Sequence, residues 1–100
     1  MRRGTTPTHT FTLPFDVDML KEIRVIYAQG GETIFVRTAA ECELNGNTVT
    51  IKLTQEETLA FECHKPVRIQ IRALTLGGDA LASDILEVVP SACLENEVME

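Results

Sequence analysis

The residues that could do chemistry are few and poorly spaced for it. Cys63-His64 sets a thiol beside an imidazole, the two groups a cysteine nucleophile needs. Neighbours in an extended chain point to opposite faces, so in a strand these two could not meet. A residue at the start of a strand is the plainer reading of Cys63. Ser83 and Ser91 are the only serines, and neither sits in a G-x-S-x-G elbow. Asp16-Val17-Asp18 opens like a calcium loop but lacks the next ligand, the glycine and the distal glutamate. Its carboxylates are expected to cap N–H groups in a turn. H-E-x-x-H, Walker and G-x-G-x-x-G patterns do not occur. Cys42, Cys63 and Cys93 lack metal-ligand spacing, and their number is odd. The sequence therefore predicts no catalytic residue, no metal site and no cofactor.

Charge narrows the partners. Nine Lys and Arg against fifteen Asp and Glu give a formal net charge of -6. Nucleic-acid binders need clustered cations to displace counterions from phosphates, so no nucleic acid is expected. The candidate interaction surface consists of Arg2, Arg3, Arg68, Gln70 and Arg72. Arg2-Arg3 reads as a solvated, mobile end or as an arm docking on an acidic partner. Arg68, Gln70 and Arg72 alternate along one strand, with Lys52 or Arg24 expected to join them across a sheet. That stripe is either a solvated sheet face or a contact surface.

These residues need elements to hold them, and the elements are strands. Phe11, Leu13 and Phe15 alternate with Thr10, Thr12 and Pro14, where the proline marks an edge position or the strand's end. Ile23, Val25 and Tyr27 alternate with Arg24, Ile26 and Ala28. Gly30-Gly31 then predicts a hairpin returning through Thr33–Arg37. Thr38–Glu43 is ambiguous and leads to a short strand at Cys42–Leu44. Asn45-Gly46 predicts a type I′ turn into Thr48–Leu53, where Val49, Ile51 and Leu53 point inward. Thr54-Gln55-Glu56-Glu57 is a capping box that starts a short helix over 54–61. Val67, Ile69, Ile71 and Ala73 make the most regular strand. Gly77-Gly78-Asp79 turns the chain into a last strand over Ala80–Val89.

About seven short strands joined by Gly, Asn and Asp turns predict an all-β fold. The stretch 53–61 followed by 66–72 resembles the corner where a strand of an immunoglobulin-like β-sandwich crosses to the other sheet. The expected layout is an extended lead-in at 1–7, the sandwich at 8–90 and an acidic tail at 91–100. Polar Gly4–Thr8 replaces the apolar stretch of a signal peptide, and no apolar run is long enough to cross a membrane. Three cysteines without a framework fit a reducing compartment, with a Cys42–Cys63 bridge left open. With no Trp and one Tyr, a carbohydrate-binding module is the weaker functional reading.

Two segments carry a family resemblance: Arg2-Arg3-Gly4-Thr5-Thr6-Pro7-Thr8 and Leu53-Thr54-Gln55-Glu56-Glu57-Thr58-Leu59. The chain resembles small proteins encoded in phages and prophages of gut Firmicutes. These are similar to the N-terminal β-sandwich domain of phage baseplate upper proteins. The resemblance implies a non-enzymatic structural or assembly role in the tail or baseplate. It also implies partners that are other phage structural proteins or copies of the chain itself, in a homo-oligomer or larger assembly. Synthesis in the bacterial cytoplasm followed by incorporation into the virion is the implied localisation. Without the long extension that binds a receptor-binding protein, the implied role is that of an accessory protein.

Overall fold

Alternation of apolar and polar residues, punctuated by glycine turns, builds eight strands and one short helix among the described residues. The computed structural model describes residues 1–83, 85–94 and 98–99. Strand β1 spans Thr8–Thr12, β2 Leu20–Gln29, β3 Glu32–Thr38 and β4 Glu43–Asn45. Strand β5 spans Thr48–Lys52, β6 Val67–Thr75, β7 Ala80–Ala82 and β8 Leu86–Val88. Helix α1 spans Gln55–Leu59, and Val17–Met19 and Ala39–Glu41 form single 3-10 turns.

The strands form two antiparallel sheets, one in the order β1-β5-β4. In the other, β3 pairs β2, β2 pairs β6, and β7 and β8 both pair β6. With β1 and β2 read as immunoglobulin strands B and C, the orders are B-E-D and C′-C-F-G. Helix α1 occupies the E–F crossing. The protein is an immunoglobulin-like β-sandwich.

Its core lies between the sheets. Ile23, Val25 and Tyr27 of β2, Val67, Ile69 and Ile71 of β6, and Val49 and Ile51 of β5 are all buried, with Leu13, Leu53 and Phe61 closing the ends. Burying one such side chain fully contributes about 1.5–3 kcal/mol. Antibody domains place a Trp on strand C against a disulfide joining B and F. Here β2 presents Tyr27, stacked on Phe35 with ring centroids 4.6 Å apart. The three cysteines are free thiols, so no Cys42–Cys63 bridge forms.

Several local expectations change. The glycines of the β2–β3 turn have φ of 61° and 82°, as a type I′ turn requires. In the second hairpin, however, Asn45 pairs with Thr48, so the turn residues are Gly46 and Asn47. Only Gly46 has positive φ, at 59°, which excludes type I′. The helix is shorter than 54–61. Thr54 is its N-cap, Ala60 its C-cap, and Phe61 turns into the core. The expected strand over Ala80–Val89 is two strands, and Asp84 between them lies outside the described residues. From Arg72↔Ala82 to Ile69↔Leu86, three steps along β6 face four along its neighbour. Such an extra residue breaks a ladder. Ser83 bridges the break, its hydroxyl accepting the Ile71 N–H at 3.0 Å and its own N–H donating to the Ile71 carbonyl at 2.8 Å.

Candidate interaction surfaces

The alternation along β6 puts Arg68, Gln70 and Arg72 on the outer face of the larger sheet. The register then adds β2 residues beside them: Arg24 opposite Arg72, Ile26 opposite Gln70, and Ala28 opposite Arg68. Like charges directly opposite repel, so carboxylates are needed nearby. Arg24 Nε donates to Glu22 at 2.7 Å, and Arg68 pairs with Glu87 at 3.3 Å. Arg72 has no ion pair among the described residues and lines a shallow depression with Glu22, Arg24, Leu74 and Ala80. Both ion pairs are about half exposed. They fix orientation more than they stabilise. Lys52 does not join this face, because β5 belongs to the other sheet.

Arg2 and Arg3 lie elsewhere, each hydrogen-bonded to the body of the domain. Arg2 forms a parallel bridge with Ser91, and its guanidinium donates to the Ala92 carbonyl at 2.6 Å. Arg3 donates through Nη2 to the Leu59 carbonyl at 2.8 Å, at the C-terminal end of α1. The fully buried Thr58 hydroxyl accepts the Gly4 N–H and donates to the Thr5 carbonyl. A buried hydroxyl needs such partners, and they tie the lead-in to the helix. The acidic tail lies partly outside the described residues. Within it, the Met99 backbone exchanges two hydrogen bonds with the Gln55 side chain.

The polar groups at the core are structural. Inward-facing Arg37 on edge strand β3 forks onto Glu57 of α1, with Nε donating at 2.8 Å and Nη2 closing the second contact. Glu57 also accepts the N–H of the cap residue Thr54, completing the capping box. The Gln29 amide, buried at the end of β2, holds the loop before β6 through the Glu62 N–H and the carbonyls of Glu62 and Lys65. Cys63 and His64 lie in that loop, not in a strand, and Cys63 is exposed. His64 adopts φ 62°, and its N–H donates to the Pro90 carbonyl. Burial pushes the Cys42 thiol upward, away from the reactive thiolate.

Known proteins supply little. No family model and no curated protein matches the chain. A solved structure of the V domain of amphioxus IgVJ-C2 aligns with it at 9% identity and a TM-score of 0.38, covering 90% of this chain and 96% of that one. The strand order above carries the fold assignment.

Sequence patterning offered β1 as an edge through Pro14 but missed the apolar overhang beside it. Strand β1 pairs only with β5, and no described strand lies on its other side. Leu81 and Leu86 point inward from β7 and β8, opposite Ala73 and Ile69, yet stay 39% and 49% exposed. Ile69 and Ile71, on the same face, are 2% and 5% exposed. The smaller sheet therefore stops short of β7 and β8. A groove of about 240 Å³ remains there, lined by Leu13, Pro14, Phe15, Ile71, Leu81 and Ser83 among others. A hint was available, since Leu81, Ile85 and Leu86 are apolar beyond what a two-faced edge needs.

Proposed function

We propose that this chain is a non-enzymatic structural or assembly protein of a phage or prophage particle, associated with the tail or baseplate. It works by packing against copies of itself or other particle proteins. Synthesis in the bacterial cytoplasm precedes its incorporation into the virion. The observation that carries this reading is the open flank: an unpaired strand edge beside an apolar overhang invites another polypeptide. The Arg24–Arg68–Arg72 face offers a second, polar contact. Sequence resemblance to phage-encoded small proteins supplies the biological setting. All four Phe and Tyr27 are buried or partly buried, which leaves the carbohydrate reading without an exposed aromatic platform.

The test is to induce the prophage, purify particles on a density gradient and quantify the chain by mass spectrometry. We expect it in the particle fraction at a fixed ratio to tail proteins. Its confinement to the soluble lysate, with no tail protein co-purifying, would overturn the reading.

A further inference from the structure

We infer that the open flank is a slot for one extended strand donated by a different protein. This rests on the packing role above and names its partner chemistry: a neutral segment with apolar side chains at alternate positions.

The backbone sets the first requirement. The Leu53 N–H donates to the Pro7 carbonyl and the Leu13 N–H to the Asn47 carbonyl, so pairs 7/53 and 13/47 are hydrogen-bonded. Alternate pairs of an antiparallel ladder bond across it, and the residues between aim their polar groups outward. Thr8, Thr10 and Thr12 therefore turn N–H and C=O toward the open side.

Edge chemistry sets the second. Strand β3 carries Glu32 and Arg37, and β4 is three residues long with Glu43 in it. Strands β7 and β8 are interrupted by the extra residue and carry Glu87. Such features blunt an edge against pairing. Strand β1, Thr-His-Thr-Phe-Thr, has five residues with no Lys, Arg, Asp or Glu, no proline and no register shift.

The groove decides the occupant. Immunoglobulin domains place strand A beside B, and among the described residues no strand stands there, beside the apolar inner side of β7 and β8. A second copy pairing through its own β1 would bring its second sheet into the space that β7 and β8 fill. A lone segment brings no such layer. This chain's own C-terminal segment carries Glu95, Glu97 and Glu100, and the groove lining has no cation to meet them. A neutral strand from another protein fits, added by main-chain hydrogen bonds with alternate side chains filling the groove.

The experiment titrates the full chain with a capped peptide of alternating Thr and Val, against a permuted peptide of the same composition, read by amide exchange. We expect the Thr8, Thr10 and Thr12 amides to gain at least about tenfold protection with the alternating peptide alone. Thr10→Pro removes an outward N–H without touching a bond to β5, and edge strands tolerate such a proline. Leu81→Glu puts a carboxylate into the groove. Each should weaken binding about tenfold or more. Having two variants keeps the test usable if one misfolds. Absence of protection in β1, equal binding by both variants, or dimers of the free protein that Thr10→Pro abolishes would each overturn the inference. Finding the chain in particles while the peptide fails would reject the slot and leave the packing role standing.

Discussion

The Tyr27 hydroxyl on β2 lies 2.8 Å from Nδ1 of His9 on β1, a polar tie between the two sheets. Tyr27 is fully buried, and burial raises its hydroxyl well above the ordinary range, so it stays protonated. Tyr27→Phe keeps the ring stack and leaves the His9 nitrogen without this partner. We expect a loss of about 1–2 kcal/mol in urea unfolding, with an unchanged m-value.

The same histidine makes stability depend on pH. Burial, and then the N-terminal ammonium, lower its pKa below the ordinary 6.5. The unfolded chain takes up a proton that the folded one resists. This contribution is therefore complete above about pH 6.5 and lost as pH falls toward the folded pKa. Melting temperature should decline between about pH 7 and 5, and His9→Gln should flatten the decline.

Glu57 should dominate at lower pH. Burial pushes its carboxyl up, but hydrogen bonds from Arg37 and Thr54 and the Arg37 charge leave it lowered overall. Its contribution is complete above the unfolded value near 4.5 and lost as pH falls through the folded one. Glu57→Ala strands the mostly buried Arg37 and removes half the capping box. A loss of about 2–4 kcal/mol is expected in denaturant titration, with Arg37→Met and Glu57→Gln together recovering part of it.

Gly31 has φ 82° with nothing near the position a Cβ would take, so substitution there tests backbone conformation alone. Gly31→Val should lose about 1–2 kcal/mol and Gly31→Asn less, in thermal or chemical unfolding.

Reversing Arg68 and Arg72 to Glu tests the outer face. Both are exposed, so we expect unfolding free energy to change by no more than about 0.5 kcal/mol per site. Recovery of the chain with particles should fall if this face is a contact. Unchanged incorporation would remove it as one.

Local chemistry was legible in the sequence. The period-2 patterns of β2, β5 and β6 match their buried faces, and the Gly30-Gly31 turn and Thr54–Glu57 capping box form from neighbouring residues. What escaped reading depends on contacts distant along the chain. The break after Ala82 is bridged by Ser83 bonding to Ile71, and Arg2 and Arg3 are held by Ser91, Ala92 and Leu59. Arg37 looks like a surface residue until Glu57 is brought to it. The Arg68–Gln70–Arg72 stripe was legible because it lies on one strand. The β1 edge was legible only in part: Pro14 suggested an edge position or the strand's end, but nothing in Thr8–Thr12 shows the apolar overhang beside it.

Amide exchange of the free protein at single-residue resolution bears most closely on that edge. Alternation along β1 is expected: His9 and Phe11 protected by β5, with Thr8, Thr10 and Thr12 exchanging at least about tenfold faster. Uniform protection of all five amides would mean that the edge is covered and the flank is not open.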